Sequence, residues 1–439
     1  MNLSGSGAPA RGVRIDRRGP AESRRPLSSP DMRSTNITPT TSSTAAPSRR
    51  LAALPTYVFA WLEDLKAAAR ARRGAGATSL VDLGIGNPDQ PTPPEIVDAI
   101  AAAYRDPRTH GYPPFRGTET FRRAAADFMR ARFGVAVDWE REVLCVSGGK
   151  EGIAQLVMGY TDESSTALVP NIHYPVHGRA SGLVGGRVHL MPIGPERGYL
   201  PDLSAIPAQV VREARLLMLN YPHNPTGAVA TVEFFDEAVT FCARHGLVLL
   251  SDLAYSEITF DGFVAPSVLE VPGAAEVAIE IHSLSKSFNM AGARLGFAVG
   301  NPDLIDTLYA VRTNMGYGTP AAIQAGGAYA LAHAGSFTGA VAARYRERRD
   351  AVVEGFRSLG WPADPPRATM FVWLPVPAGF TSQGWTEHLI DETGVVVTPG
   401  NAFGPGGEGF FRVSLVGDIN VLRDAVERLR RAGIRFVRR

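Results

Sequence analysis

Short apolar runs alternate with helical patterns along most of this chain. Seven of the runs are apolar almost throughout, which is the pattern of strands buried on both faces of a sheet. In chain order they are EVLCVS, TALVP, RVHLMP, RLLMLN, LVLLSD, VAIEIHS and LGFAVG. Segments with an apolar residue every three or four positions, such as VEFFDEAVTFCARHG, separate several of them. The alternation predicts an α/β fold with a mostly parallel seven-stranded sheet.

Changes in this pattern predict four regions. Residues 1–50 show no apolar periodicity, whereas residues 51–94 contain an amphipathic helix, a short strand and a Gly/Pro loop. The strand–helix alternation fills residues 95–325 and predicts a large domain. Residues 326–439 are strongly helical and end in short strands and a last helix, which predicts a smaller α+β domain. We expect residues 51–94 to join that smaller domain.

The first 50 residues differ from the rest in composition and charge. They hold nine arginines and three acidic residues, and they are rich in Ser, Thr, Pro and Gly. Such a segment cannot bury enough apolar surface to fold, so we predict a disordered tail without a targeting role. The Arg- and Ser-rich composition is also that of organellar transit peptides, and translation starting at Met32 is a further alternative.

Several classes of protein are disfavoured by composition. After the tail the chain holds 36 basic and 40 acidic residues, so its net charge of −4 gives no indication of nucleic-acid binding. No apolar stretch reaches the roughly 18 residues that a membrane helix needs. Cys145 and Cys242, the only cysteines, lie in apolar runs and indicate buried thiols in a reducing compartment, which favours the cytoplasm. No HExxH or paired-Cys motif is present, and we predict no metal.

Polar residues of distinct chemistry follow three neighbouring strand candidates. Asn224 follows RLLMLN, Asp252 ends LVLLSD with Tyr255 three residues on, and Ser283 and Lys286 end VAIEIHSLSK. Ligands of open α/β sheets gather at the carboxyl ends of strands, so these residues are predicted to converge. The chain uses only three lysines among its 45 basic residues. A lysine amine can lose its proton and act as a nucleophile, whereas a guanidinium cannot, so Lys286 is a candidate catalytic residue.

Five separated motifs carry a resemblance to a known family. HGYPPFRG, NYPHNPTG, SDLAYSEI, SLSKSFNMAGARLGF and FFRVSLV occur in this order. Together they closely resemble the pyridoxal-phosphate-dependent class I/II aminotransferases of fold type I. The resemblance extends from about residue 51 to the end of the chain. Within the family the motifs are most similar to the alanine and LL-diaminopimelate aminotransferase branch.

The resemblance implies catalytic roles for three residues and a cofactor, pyridoxal 5'-phosphate. Lys286 would form a Schiff base with the cofactor aldehyde and later move a proton at the substrate α-carbon. Asp252 would keep the pyridine nitrogen protonated, which makes the ring an electron sink. Tyr255 and Asn224 would bond the 3-oxygen of the cofactor. Taken singly, Asp252 could be a helix N-cap and Asn224 part of an ordinary turn.

Other residues match cofactor-phosphate ligands of the family. Gly149 and Lys150 lie between a strand candidate and a helix candidate, where backbone amides and the helix dipole favour an anion. Ser283 and Arg294 match further phosphate ligands. Tyr112 matches a tyrosine that reaches the phosphate of a neighbouring subunit, which implies a homodimer with shared active sites.

The remaining matched residues concern the cofactor ring and the substrate. Tyr174 matches an aromatic residue that stacks on the cofactor ring, although a loop tyrosine is an alternative interpretation. Arg412 matches the arginine that holds the substrate α-carboxylate in a bidentate pair, assisted by Asn224. It lies within an apolar strand, where a guanidinium is costly without an anion. Gly86 matches a glycine close to the same carboxylate.

Three positions depart from the common pattern of the branch. Gly149 stands where close relatives have serine, which removes one hydroxyl donor to the phosphate. Ala293 stands where tryptophan is frequent, and Phe288 replaces a common tyrosine. Both changes are expected to alter packing near the cofactor, so the substrate could be unusual.

The resemblance implies reversible transfer of an amino group between an L-amino acid and a 2-oxo acid, of the alanine/glutamate type. One alternative is an LL-diaminopimelate aminotransferase, and another is an oxidase or lyase on the same scaffold. Reaction choice depends on details of the pocket that no motif shows. A non-enzymatic regulator with this fold would need a helix-turn-helix module before Leu51, and the tail lacks the periodicity for one.

Overall fold

The computed structural model describes residues 47–54, 57–73 and 79–437. Most of the predicted tail therefore lies outside the described residues. The strands are β1 Val81–Asp82, β2 Val143–Val146, β3 Thr166–Pro170, β4 Arg187–Met191, β5 Ala214–Leu219, β6 Val248–Asp252, β7 Ala278–Ser283, β8 Gly296–Gly300, β9 Phe371–Pro375, β10 Val395–Val396, β11 Thr398–Pro399 and β12 Phe410–Ser414.

The helices in the described ranges are α1 Arg49–Ala52, α2 Val58–Arg73, α3 Pro94–Tyr104, α4 Glu119–Phe133, α5 Gly149–Tyr160, α6 Pro175–Val184, α7 Ala208–Glu213, α8 Val232–His245, α9 Ala274–Val277, α10 Leu284–Ser287, α11 Pro302–Thr313, α12 Ala321–Ala332, α13 Ala334–Ser358, α14 Ser382–Thr393 and α15 Ile419–Arg431. Within these ranges no helix combines the length and the apolar character needed to cross a membrane.

A seven-stranded sheet of order β2-β8-β7-β6-β5-β3-β4 forms the centre of the structure. β8 runs antiparallel to both of its neighbours, and the other adjacent pairs are parallel. All seven strands coincide with the predicted apolar runs, so the predicted α/β fold is confirmed. Since β5, β6 and β7 are adjacent and parallel, the residues that follow them meet at one edge of the sheet.

The strands are apolar throughout because both faces of the sheet are covered. In β2, Val143 and Cys145 belong to one buried cluster, whereas Leu144 and Val146 belong to another on the opposite face. Successive side chains of a strand point to opposite faces, so two-sided burial requires apolar residues at consecutive positions. This explains why these strands show no alternation of apolar and polar residues.

The C-terminal part forms a second sheet of order β11-β12-β9, with antiparallel pairing throughout. Separately, β1 pairs in parallel with β10, which joins the segment before α3 to the C-terminal part. Apolar residues of β9, β12, α13, α14 and α15 share one buried cluster. The domain boundaries at residues 50, 94 and 325 stay predictions.

Candidate active site

Eleven of the twelve predicted site residues line one cavity of about 570 Å³. The cavity lies at the carboxyl ends of the parallel strands, and the C-terminal sheet contributes Arg412 from β12. The eleven residues are Gly86, Gly149, Lys150, Tyr174, Asn224, Asp252, Tyr255, Ser283, Lys286, Arg294 and Arg412.

Lys286 lies on α10, the short helix that follows β7. Its Nζ donates a hydrogen bond to the backbone oxygen of Gly86 at 2.6 Å. Burial lowers the pKa of the lysine to about 8, and the positive charges of Arg412 and Arg294 act in the same direction. An amine with this pKa is partly neutral near neutral pH, so it can act as a nucleophile and as a proton carrier.

Asp252 ends β6 and is buried beside a histidine that sequence reasoning missed. His177 Nε2 lies 3.1 Å from Asp252 Oδ2, and both side chains are almost completely buried. Asn220 donates a hydrogen bond from Nδ2 to the Asp252 backbone oxygen at 2.7 Å, which ties the end of β5 to β6. His177 could have been predicted from its position three residues after the candidate Tyr174 at the start of α6, because residues three apart share a helix face.

Cationic groups and a helix N-terminus meet at one end of the cavity. Arg294 lies against the turn before α5, where Gly148 has a φ of +87° and a Cβ would overlap the guanidinium. Lys150 is in the first turn of the 12-residue α5, and Ser283 lines the same end. Helix dipole, backbone amides and cations together favour a phosphate group.

Arg412 is 2% exposed and has no carboxylate partner within the described residues. It donates from Nη1 to Asn224 Oδ1 at 2.9 Å and from Nη2 to the Gly84 oxygen at 2.7 Å. Its buried Nε has no hydrogen-bond partner in the described part of the chain. Burial lowers its pKa to about 10, so the guanidinium is still charged at neutral pH. Such a group is suited to an anionic ligand.

Aromatic and amide side chains complete the lining. The cavity also contains Tyr57, Phe59, Asn87 and Phe371, none of which the motifs indicated. The ring centroid of Phe371 is 4.1 Å from Arg412 Cζ. Tyr57 comes from the segment before α2, and its hydroxyl accepts a hydrogen bond from Lys150 Nζ at 3.2 Å. These residues come from distant parts of the chain, so no local pattern could reveal them.

Tyr112 is the one predicted site residue that lies outside the cavity. Its side chain is 80% exposed, and its ring stacks on Tyr317 with 4.0 Å between centroids. Within a single chain it therefore does not reach the other site residues.

The three departures from the branch pattern lie in different surroundings. A Cβ at Gly149 would be 3.6 Å from its nearest neighbours, so a serine would fit there and glycine is not required sterically. Phe288 is buried and Ala293 partly buried in the apolar cluster beneath the site. Neither of the two lines the cavity, so their effect on a ligand would be indirect.

The groups around the cavity fit pyridoxal phosphate. The cationic end suits its phosphate, and the buried carboxylate of Asp252 suits a protonated pyridine nitrogen. Lys286 would supply the amine, and the charged Arg412 guanidinium, which has no carboxylate partner among the described residues, would suit a substrate carboxylate. Among the described residues, no cluster of His, Cys, Asp and Glu is placed to hold a metal ion.

Comparison with known proteins identifies the family of the chain. The profile of the family described as aminotransferase class I and II matches residues 78–429. The chain belongs to this family. It is therefore a pyridoxal-phosphate-dependent aminotransferase of fold type I, and the predictions of an enzyme and of its cofactor are confirmed.

Individual relatives cover nearly the whole described chain. The LL-diaminopimelate aminotransferase of Moorella thermoacetica is 45% identical over 383 residues, which cover 87% of this chain and 97% of the relative. LL-diaminopimelate aminotransferase 2 of a Nostoc species is 43% identical over 389 residues, covering 88% and 99%.

Solved structures show the same fold. Substrate-bound BacF from Bacillus subtilis has a TM-score of 0.85 and 35% identity, covering 90% of this chain and 99% of its own. A probable N-succinyldiaminopimelate aminotransferase from Thermus thermophilus has a TM-score of 0.80 and 38% identity, covering 85% and 100%.

Proposed function

We propose that this aminotransferase transfers an amino group between LL-2,6-diaminopimelate and 2-oxoglutarate. The observation that carries the proposal is the 40–45% identity to relatives named LL-diaminopimelate aminotransferases over 84–88% of the chain. It favours this substrate over the alanine/glutamate pair that the motifs suggested first.

Five cavity residues and the adjacent His177 have proposed tasks in this reaction. Bound pyridoxal phosphate supplies an electrophilic aldehyde and an electron-accepting ring. Lys286 holds the cofactor and carries the proton at the substrate α-carbon. Asp252 holds the ring nitrogen, with His177 orienting the carboxylate. Tyr255 and Asn224 bond the 3-oxygen, and Tyr174 covers the ring.

A second group of residues holds anions. Gly149, Lys150, Ser283 and Arg294 surround the phosphate of the cofactor. Arg412 forms the bidentate pair with the substrate α-carboxylate, since its planar fork matches a carboxylate and it is buried without a carboxylate partner among the described residues.

The near and far ends of the substrate have different surroundings. Asn224 and Gly86 lie beside the Arg412 end of the cavity. Diaminopimelate carries a second, distal amino-acid group. Tyr57 and Asn87 line the same cavity and add polar groups that the distal ammonium and carboxylate of a longer substrate can contact. The methyl side chain of alanine has no polar group that could contact them.

We also propose a homodimer with shared active sites. The stacked Tyr112 and Tyr317 are exposed together with Met315. Exposed apolar and aromatic side chains grouped in this way are typical of an interface. In the dimer, Tyr112 would reach the phosphate of the neighbouring subunit.

The two buried free cysteines support a cytoplasmic location.

The substrate is tested by comparing amino donors with the purified, cofactor-loaded enzyme. LL-diaminopimelate, its meso isomer, N-succinyl-LL-diaminopimelate and L-alanine are each supplied with 2-oxoglutarate, and glutamate is measured. We expect kcat/KM for LL-diaminopimelate to exceed that for alanine by at least about 100-fold. A preference for alanine or the succinylated compound would contradict the proposal. Release of ammonia or peroxide in place of glutamate would instead support the lyase or oxidase alternative.

A further inference from the structure

Residues 83–93, here called the site loop, connect β1 to α3 without helix or strand. The backbone oxygen of Gly84 accepts hydrogen bonds from Arg412 Nη2 at 2.7 Å and from Thr398 Oγ1 at 2.6 Å. Near the other end, Thr92 Oγ1 donates to the Asn289 oxygen at 2.8 Å. The loop is therefore attached both to the C-terminal sheet and to the segment after Lys286.

The middle of the site loop contacts the catalytic lysine. The Gly86 oxygen is the one hydrogen-bond acceptor that Lys286 Nζ has within the described residues. A Cβ at Gly86 would lie 2.7 Å from Phe371 Cζ, so this backbone has little room to shift toward Phe371. A buried ammonium needs an acceptor, because burying it without a hydrogen bond is costly.

An ion pair holds the site loop just beyond Gly86. Arg348 on α13 donates from Nη1 and Nη2 to the two carboxylate oxygens of Asp89 at 2.7 and 2.8 Å. The Arg348 side chain is 4% exposed and that of Asp89 is 23% exposed. Arg348 also donates to the Leu415 oxygen at 3.1 Å, next to β12. A bidentate, largely buried pair constrains geometry more than an exposed pair does.

We propose that Arg348 and Asp89 are positioning residues for the catalytic lysine. Their ion pair holds the site loop so that the Gly86 carbonyl accepts from the Lys286 amine whenever that amine is not bonded to the cofactor. The lysine is thereby held close to the place where it moves the substrate proton. Neither Arg348 nor Asp89 lines the cavity, so both act through the loop. The inference rests on the proposed role of Lys286.

The test compares Arg348→Met, Arg348→Lys and Asp89→Asn in the cofactor-loaded full chain. Amide hydrogen exchange of peptides covering residues 83–92 reports on the attachment of the loop without depending on the substrate. We expect exchange in these peptides to become at least about tenfold faster in Arg348→Met and Asp89→Asn. Arg348→Lys keeps the positive charge but cannot form the bidentate pair, so we expect an intermediate rate of exchange.

Kinetics supply the second measurement. We expect kcat to fall about tenfold while KM changes less than about threefold, since a displaced lysine slows proton transfer but Arg412 keeps its contact with Gly84. Asp89→Asn changes a partly exposed partner, so it tests the proposal even if Arg348→Met does not fold.

Arg349→Met is the matched control. Arg349 is the next residue on α13, is equally buried, and pairs with Asp261 and Asp350 away from the site loop. We expect unchanged exchange at residues 83–92 in this variant. Unchanged exchange in both Arg348→Met and Asp89→Asn would overturn the proposal, as would an equal fall in kcat in Arg349→Met. Failure of the proposed substrate would leave the exchange result intact, so the two failures are distinguishable.

Discussion

Arg412 is a buried cation and Lys286 a half-buried amine in the same cavity, and loss of solvent has different consequences for them. The pKa of Lys286 falls to about 8, within reach of neutral pH. The pKa of Arg412 falls to about 10, so the guanidinium stays charged where the lysine is partly neutral. One residue is thus suited to nucleophilic attack and proton transfer, and the other to holding an anion.

The lowered pKa of Lys286 predicts how cofactor attachment depends on pH. Only the neutral amine attacks the aldehyde, so the rate with cofactor-free protein should rise about tenfold per pH unit below 8 and level off above it. Stopped-flow absorbance of the bound cofactor measures this rate. In Arg412→Met the midpoint of this pH–rate curve should move to higher pH, because a positive charge that lowers the pKa of Lys286 is removed. A wild-type midpoint above pH 10 would contradict the prediction.

We expect replacement of Arg412 to weaken the binding of substrate carboxylates far more than the binding of the cofactor. Arg412→Met should raise KM for α-amino acids by roughly 100-fold, because a charged pair with two hydrogen bonds is lost. The dissociation constant of pyridoxal phosphate should change little. A primary amine without a carboxylate is the control, and its kcat/KM should be similar in both proteins. Equal losses for both kinds of donor would argue against this role.

At the level of elements, two of the strands that carry the site, β6 and β7, are joined by a buried polar cluster. Glu280 on β7 is completely buried, and its carboxylate accepts from Ser251 Oγ on β6, Ser267 Oγ and the Val268 amide. His282 Nε2 lies 2.8 Å from Glu280 Oε1. A buried carboxylate is tolerated here because hydrogen bonds satisfy both oxygens.

This cluster predicts the effect of Glu280→Gln on stability. The amide group of glutamine would face donors where the carboxylate has an acceptor, so the free energy of unfolding should fall by about 3 kcal/mol. The measurement is the urea midpoint of the cofactor-free protein. Glu276→Gln, an exposed change on α9, is the matched control and should leave the midpoint unchanged. Equal midpoints for all three proteins would show that the cluster contributes nothing.

At the level of the whole molecule, a shared active site predicts complementation between inactive variants. Lys286→Ala and Tyr112→Ala each damage one half of every site in their own homodimer. A mixed dimer would contain one site with both residues intact. After unfolding and refolding together in equal amounts, the mixture should recover about a quarter of wild-type activity.

The control for this experiment is refolding each variant alone. Neither should gain activity, because every site then lacks the same residue. Recovery no greater than the sum of the separate variants, in a protein shown to be dimeric by light scattering, would mean that Tyr112 does not complete the neighbouring site.

The sequence by itself determined the central sheet and most of the site. Short continuous apolar runs that alternate with helices are typical of strands covered on both faces of a sheet, so the seven strands were predictable. Parallel order then brings the residues after β5, β6 and β7 to one edge, which is why Asn224, Asp252 and Lys286 could be predicted to lie together. The motif resemblance added Arg412.

Only the tertiary structure decided which groups surround these residues. The contact of Lys286 with Gly86 spans 200 residues, that of Arg348 with Asp89 spans 259, and that of Arg412 with Gly84 spans 328. Such contacts cannot be predicted from the spacing of apolar residues, because that spacing indicates only which face of its own helix or strand a residue occupies. The pKa of Lys286 likewise depends on burial and on charges from distant segments. The chemical types of the site residues could be predicted from local sequence, whereas their pKa values and relative positions depend on the tertiary structure.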